Sequence, residues 1–213
     1  MNKKFDNQKF SDCPIIGILR NIELNDLKII LDISIKSGIK NIEITMNTTQ
    51  PEEKIKTCID LFSDKLNIGA GTVINLKSLH RALEAGAQFI VTPNTNKDII
   101  EYCKKNSIPI FAGAFTPTEI LNAYQYGAKM VKIFPANMLD PKYLKTIKGP
   151  LNNIPFMPTG GIFPETMQQW KDVGADAFGI GENLFNPNLI KNRDWESLSN
   201  NIKKYINAMN EII

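Results

Sequence analysis

The sequence alternates short apolar runs with amphipathic segments eight times, and this alternation limits the folds open to the chain. Short apolar runs bounded by Gly, Pro or Asn are typical of buried strands, whereas a 3.6-residue apolar period is typical of surface helices. The predicted strands span residues 14–19, 40–45, 67–70, 88–92, 109–112, 130–134, 155–158 and 176–180. The predicted helices span residues 25–37, 51–62, 75–85, 96–106, 116–127, 141–147, 164–173 and 194–213.

Eight βα units with short connections predict a closed parallel (β/α)8 barrel, or TIM barrel, in one domain over residues 1–213. Glycines that can end a helix in the left-handed conformation precede four strands, at Gly38, Gly86, Gly127 and Gly174. The alternative is an open doubly wound sheet. Such a sheet would be expected to have a Gly-rich dinucleotide-binding turn after an early strand, and the sequence has none. Residues 1–12 fit either a loose arm or an additional helix.

The composition excludes several functional classes. An apolar fraction of 43%, a charged fraction of 22% and a net charge of +3 are those of an ordinary soluble globular protein. No basic run indicates a nucleic-acid partner, no stretch is long and apolar enough to span a membrane, and the polar N-terminus does not resemble a signal peptide. Three widely spaced cysteines indicate reduced thiols and a cytoplasmic location. One histidine, His80, excludes a multi-histidine metal site, and neither a metal nor a cofactor is expected.

Lys132 lies in the middle of the apolar run Met130–Ala136. A strand that is buried on both faces should be almost entirely apolar, and an unpaired ammonium group there tends to lose its proton. Lys132 is therefore either paired with a carboxylate or a neutral amine, unless its side chain extends past the strand to solvent. A neutral lysine in a dry pocket is a nucleophile that can form a Schiff base with a carbonyl group.

Glu43 is a carboxylate that could act together with Lys132. Like Lys132 it lies inside an apolar predicted strand, between Ile42 and Ile44. It is either a structural partner for Lys132 or a general acid and base whose pKa is raised by burial. A Schiff-base aldol reaction needs such a pair: the amine forms an iminium with a ketone, and the carboxylate moves the protons.

The active site of a parallel barrel forms at the C-terminal ends of its strands. Predicted strand ends bring to this rim Arg20, Thr45, Asn47, Thr72, Thr92, Pro93, Thr159, Gly160, Gly161, Gly181, Glu182 and Asn183. The Thr159–Gly161 turn before a helix suits a phosphate, because glycines expose backbone N–H groups and helix N-termini favour anions. Arg20 is either a ligand for a substrate anion or a solvated loop residue.

These residues stand in motifs that resemble the family of 2-keto-3-deoxy-6-phosphogluconate and 4-hydroxy-2-oxoglutarate aldolases. The resemblance extends from Pro14 to the C-terminal helix and rests on residues 17–20 (GILR), 42–45 (IEIT), 69–73 (GAGTV), 90–93 (IVTP), 132–136 (KIFPA) and 158–162 (PTGGI). It implies a homotrimeric barrel and metal-free class I cleavage of a keto-acid phosphate to pyruvate and a short aldehyde, glyceraldehyde 3-phosphate for phosphorylated substrates.

The same resemblance implies a role for each matching residue. Lys132 resembles the Schiff-base lysine and Glu43 the acid and base, while Thr72 resembles the contact to the pyruvate carboxylate and Pro93 lines that pocket. The phosphate site would be formed by Gly160, Gly161 and the turn from Gly181 to Asn183.

Two features bear on the substrate. Asn47 replaces the arginine usual in gluconate-type members, and the run from Glu43 to Gln50 resembles 2-dehydro-3-deoxy-6-phosphogalactonate aldolases, in which Arg20 would carry the anion. Thr159 resembles the gluconate type instead, so the preference at C4 stays open. Glu182 would repel a phosphate unless its side chain turns away or the substrate is less anionic at that end.

The leading hypothesis from the sequence is a carbon–carbon lyase that acts on a 2-keto-3-deoxy sugar acid phosphate. A 4-hydroxy-2-oxoglutarate aldolase, which releases pyruvate and glyoxylate, is the nearest alternative. A non-catalytic phosphosugar-binding barrel would hold Lys132 and Glu43 as a static ion pair. An isomerase or synthase barrel would use the same phosphate site without a covalent imine.

Overall fold

The eight apolar runs of the sequence form eight parallel strands in this computed structural model, which describes residues 4–212. The strands are β1 Ile15–Leu19, β2 Asn41–Thr45, β3 Asn67–Gly71, β4 Ile90–Val91, β5 Ile110–Ala114, β6 Met130–Ile133, β7 Phe156–Pro158 and β8 Phe178–Ile180. They are ordered β7-β6-β5-β4-β3-β2-β1-β8, and a parallel bridge between Thr159 and Gly179 joins the two ends. The predicted (β/α)8 barrel is thus confirmed, and the open-sheet alternative is wrong.

Helices surround this barrel. They are α1 Asn7–Asp12, α2 Leu24–Ser37, α3 Pro51–Phe62, α4 Leu76–Glu84, α5 Lys97–Lys105, α6 Pro117–Tyr126, α7 Pro141–Lys148, α8 Pro164–Asp172, α9 Pro187–Lys191 and α10 Trp195–Asn210. A 3₁₀ turn, Ala136–Met138, follows β6. The four predicted glycine terminators adopt positive φ angles of 106°, 98°, 117° and 98°, as the left-handed helix end requires. No helix within residues 4–212 combines the length and apolar character needed to cross a membrane.

The ends of the chain differ from the sequence predictions. Residues 7–12 form α1, so the additional helix is the correct alternative for this part of residues 1–12, and the first three residues lie outside the described range. The predicted helix over 194–213 is α10, which begins at Trp195 because the Asp194 side chain accepts a hydrogen bond from the Ser197 N–H. Residue 213 also lies outside the described range. Helix α9 has no counterpart among the predicted elements.

Two strands, β4 and β8, are shorter than predicted by two or more residues. Strand β8 begins at Phe178 because Asp176 lies at the barrel floor, where its carboxylate accepts a hydrogen bond of 2.8 Å from the Phe156 N–H. Strand β4 contains only Ile90 and Val91 of the predicted 88–92. Helix α2 begins before the predicted cap at Asn25, with Glu23 as its N-cap residue.

The apolar core has two parts. The larger part fills the space between the strands and the surrounding helices. The smaller part lies inside the barrel toward its floor and includes Ile16, Phe89, Phe111 and Met157. Phe10 of α1 belongs to this inner cluster, with its ring centroid 5.3 Å from that of Phe111. The N-terminal helix therefore closes the bottom of the barrel and leaves the opposite end free to form a site.

Candidate active site

A cavity of about 810 Å³ opens at the C-terminal ends of the strands. It is lined by ten of the residues that the sequence places in the site, namely Arg20, Glu43, Thr72, Pro93, Lys132, Thr159, Gly160, Gly161, Gly181 and Asn183. Asn47 lines a neighbouring cavity of about 230 Å³ instead, and its contact with substrate stays a prediction from the sequence. The volume of the larger cavity is that of an ordinary small-molecule site.

Lys132 points into the barrel because it shares a strand face with Met130, which belongs to the inner apolar cluster. Only 6% of Lys132 is exposed, so its side chain does not extend past the strand to solvent. Its Nζ atom lies 4.7 Å from the centroid of the Phe134 ring. Burial lowers the pKa of Lys132, and the positive charge of Arg20 acts in the same direction, whereas Glu43 partly opposes them. The amine is thus held toward its neutral, nucleophilic form.

Glu43 faces the same cavity from β2 and is 2% exposed. Burial raises the pKa of its carboxyl group, and the charges of Lys132 and Arg20 partly offset that effect. Among the described residues, no direct hydrogen bond or ion pair joins Glu43 to Lys132, so the two groups do not form the static pair of the binding-protein alternative. The carboxyl group occupies the space beside Gly71, where a Cβ atom would collide with Oε1.

Backbone strain is concentrated at the cavity. Within the described residues, five non-glycine residues adopt a positive φ, and three of them, Asn21, Thr72 and Arg193, line this cavity. The φ of Thr72 is 54°, a conformation that β-branched residues avoid. Such strain persists where the surroundings impose it, and it is common at functional sites.

The turns after β7 and β8, which the sequence predicts to bind a phosphate, both line the cavity. Gly160 and Gly161 have φ angles of 97° and 70°, which glycine adopts readily, and a side chain at Gly161 would collide with Asn137. The Asn183 side chain donates a hydrogen bond of 3.1 Å to the Ile162 carbonyl and so ties the two turns together. Helix α8 begins directly after this turn, and its N-terminus favours an anion there.

The sequence reasoning missed the residues that close one side of the cavity. Lys191 and Arg193 reach it from α9 and the loop that follows, and Asp26 reaches it from α2. Arg193 and Asp26 form an ion pair of 3.2 Å. The sequence contains the signal for α9, because Asn186 caps the helix and Pro187 occupies its first position. Glu182 also lines the cavity, next to the predicted phosphate turn.

The assembled groups support a defined chemistry. A buried amine with a lowered pKa can add to a carbonyl carbon, and a buried carboxyl group with a raised pKa can donate and accept protons. The Arg20 side chain and the glycine turns supply positive and N–H groups for an anionic substrate. Within residues 4–212, no group of three or more His, Cys, Asp or Glu side chains is placed so that it could hold a metal ion.

Comparisons with known proteins agree with this chemistry. The family model for "KDPG and KHG aldolase" matches residues 7–201. The 2-dehydro-3-deoxy-6-phosphogalactonate aldolase of Escherichia coli (strain K12) is 32% identical over 92% of this chain and 96% of its own length. A 2-dehydro-3-deoxy-phosphogluconate aldolase of Pseudomonas aeruginosa is 30% identical, over 85% of this chain and 81% of its own.

Solved structures show the same relationship. A native KDPGal structure superposes with a TM-score of 0.89 at 29% identity, covering 99% of this chain and 98% of that one. The KDPG aldolase of Legionella pneumophila, with pyruvate captured at low pH as a covalent carbinolamine intermediate, gives a TM-score of 0.83 at 26% identity. That superposition covers 92% of this chain and 95% of the Legionella chain.

Proposed function

Because this chain belongs to the KDPG and KHG aldolase family, we propose that it cleaves a 2-keto-3-deoxy-6-phospho sugar acid by a Schiff-base mechanism. The products are pyruvate and glyceraldehyde 3-phosphate. The observation that carries this proposal is a pair of buried groups that face one cavity without a direct ion pair between them. The pKa of Lys132 is lowered and that of Glu43 is raised. The relatives named for both the galactonate and the gluconate phosphates support this substrate class.

The first half of the reaction forms the iminium. The neutral Nζ of Lys132 attacks the C2 ketone carbon, and one proton moves from nitrogen to oxygen to give a carbinolamine. Glu43 donates a proton to the carbinolamine hydroxyl, which leaves as water, and the nitrogen lone pair forms the C=N bond of a cationic iminium. Glu43 is then a carboxylate that is ready to accept a proton.

The second half breaks the carbon–carbon bond. Glu43 accepts the proton of the C4 hydroxyl as the C3–C4 bond breaks, and the electron pair of that bond moves into the iminium to give an enamine. C4 leaves as the aldehyde carbon. Return of the proton to C3 and addition of water across the C=N bond then release pyruvate and restore the amine of Lys132.

The remaining lining residues hold the two ends of the substrate. Arg20 and Thr72 bind the carboxylate, with Pro93 beside it, an assignment supported by all three residues lining the cavity that Lys132 and Glu43 face. Gly160, Gly161 and the turn from Gly181 to Asn183 bind the phosphate, together with Thr159, which precedes Gly160 in the chain and lines the same cavity. Glu182 lines the cavity at the phosphate end, and this favours 4-hydroxy-2-oxoglutarate, which has no phosphate, as the second candidate substrate.

We further propose that the chain, as one domain over residues 1–213, assembles as a homotrimer. Large apolar side chains are exposed after three neighbouring strands, β5, β6 and β7, and on α6: Phe115, Leu121, Tyr124, Met138 and Phe163. We name these five residues the apolar rim. A contiguous patch of exposed apolar side chains marks a contact surface between proteins, and we propose that the apolar rim is such a patch. The free, buried thiols of Cys13, Cys58 and Cys103 support a reducing, cytoplasmic environment.

A side-by-side assay tests the proposed activity. Pyruvate release is measured with 2-keto-3-deoxy-6-phosphogluconate, its galactonate epimer and 4-hydroxy-2-oxoglutarate, for the wild type and the Lys132→Ala variant. The wild type should release pyruvate from at least one of the two phosphates, and the variant should be inactive while it still binds substrate. Turnover by Lys132→Ala at the wild-type rate, or no turnover of any of the three by the wild type, would contradict the proposal.

A further inference from the structure

Two buried polar atoms lack a protein partner within residues 4–212, Oε2 of Glu43 and Oγ1 of Thr45. A buried polar atom without a hydrogen-bond partner is destabilising, and each such atom in a native fold therefore calls for an explanation. Thr45 is fully buried and lies two residues after Glu43 on the same strand. The unpartnered hydroxyl and the unpartnered carboxyl oxygen are therefore neighbours in the chain.

The strand geometry also makes them neighbours in space. Alternate residues of a strand share a face, and Ile42 and Ile44 pack into the outer core, so Glu43 and Thr45 both point into the barrel. Thr45 is in register with Gly71 on β3. The Glu43 carboxyl group occupies the position that a side chain of Gly71 would take, which is the position adjacent to the Thr45 side chain across the strand pair.

We propose that Thr45 is a positioning residue for Glu43, and that its hydroxyl and Glu43 Oε2 are bridged by a shared buried water. Two polar atoms that are close but not directly bonded, and have no other protein partner, are the kind of site that a structural water fills. This bridge fixes the rotation of the carboxyl group and directs it toward the cavity. The inference rests on the proposed function, because it assigns Thr45 through the proton-transfer role of Glu43.

The bridge also affects the charge of Glu43. The charged groups that act on Glu43 from other elements are Lys132 on β6 and Arg20 after β1, and both favour its carboxylate form. A hydroxyl that donates through a water adds to that stabilisation. Loss of the hydroxyl should therefore raise the pKa of Glu43. Because Glu43 enters the reaction protonated, the alkaline limb of the pH profile should move to higher pH.

The test uses Thr45→Val, which removes the hydroxyl and keeps the shape, with Thr45→Ser as the control that keeps the hydroxyl. We expect Thr45→Val to lower kcat about tenfold, the equivalent of one hydrogen bond to a charged group. The alkaline limb of its kcat/KM profile should shift to higher pH, and Thr45→Ser should retain the wild-type limb. Borohydride trapping of pyruvate on Lys132 should persist in both variants, because neither change touches the amine.

A wild-type kcat and alkaline limb in Thr45→Val would overturn the proposal, and so would a Thr45→Ser variant that behaves as Thr45→Val does. Should Thr45→Val fail to fold, Thr45→Ala and Thr45→Ser form a second pair, since both remove the methyl group and only one keeps the hydroxyl. Equal alkaline limbs in that pair would also overturn the proposal. Failure of the wild type to trap pyruvate would instead count against the proposed function, so the two failures are distinguishable.

Discussion

At the scale of single residues, burial and two neighbouring charges shift the pKa of Lys132 in known directions. Burial lowers the pKa of Lys132 most, Glu43 raises it, and Arg20 lowers it. Burial also raises the pKa of Glu43. The pKa values of both groups are thus shifted in the direction that favours the neutral form.

These signs predict opposite shifts for two substitutions. Glu43→Gln removes a negative charge that raises the pKa of Lys132, so the pKa of the amine should fall further. Arg20→Gln removes a positive charge that lowers this pKa, so it should rise. The measurement is the pH dependence of borohydride trapping at saturating pyruvate, which reports the neutral fraction of the amine. Shifts in the same direction, or no shift in either variant, would contradict this electrostatic account.

The sequence was sufficient to identify the amine and the carboxylate, because a charged residue inside an apolar strand stands out. It was not sufficient to show that Lys132 and Glu43 avoid a direct ion pair, since that depends on the space beside Gly71. The sequence also grouped Asn47 with these residues, whereas the backbone after β2 places it in the neighbouring cavity. Motifs show which side chains reach the rim, but loop conformation decides which of them meet.

At the scale of elements, the short N-terminal helix has a structural role. Asp6 caps α1 by accepting hydrogen bonds from the Gln8 and Lys9 N–H groups, and its own N–H donates to the Asn67 side chain at 2.8 Å. The helix thereby inserts Phe10 into the inner apolar cluster. Helix α1 is thus held at the bottom of the barrel by hydrogen bonds to β3 and by aromatic packing.

Truncation of Phe10 should therefore destabilise the whole barrel. Phe10 is 7% exposed, and replacement of a buried phenylalanine by alanine removes apolar contacts and leaves a cavity. We expect Phe10→Ala to lower the free energy of unfolding by about 3 kcal/mol in urea denaturation. Leu61→Ala is the control, because Leu61 is 51% exposed and its truncation should change the stability little. Equal effects of the two changes would contradict the assigned role of α1.

The two short helices show where element prediction from the sequence fails. The predicted strands and long helices agree with the structure because their apolar periodicity extends over a complete element. Helices α1 and α9 have six and five residues, too few for a periodic pattern, although Asp6 and Asn186 are visible cap signals. The positions of Lys191 and Arg193 at the cavity depend on α9, so they could not be predicted without it.

At the scale of the whole molecule, the apolar rim and the surface around α3 lie on different sides of the barrel. The rim follows β5, β6 and β7, whereas α3 follows β2, which is four places from β6 in the strand order. Met138 is the most exposed of the rim residues, at 70%. A charge at this position would be buried without a partner if the rim forms the subunit interface.

Met138→Lys should therefore dissociate the proposed trimer. Light scattering after gel filtration should give three times the chain mass of 23.9 kDa for the wild type and a smaller assembly for this variant. Leu61→Lys on α3 should leave the assembly unchanged. A wild-type monomer would contradict the trimer, and an intact trimer in Met138→Lys would contradict the assignment of its interface to the apolar rim.

The central claim is that the amine of Lys132 forms a covalent imine with the keto acid. The most direct measurement is peptide mass mapping after borohydride reduction in the presence of pyruvate. We predict one modified peptide carrying a reduced pyruvyl group on Lys132, and no modification without pyruvate. A label on any other lysine, or no label under conditions in which the enzyme turns over, would contradict the claim.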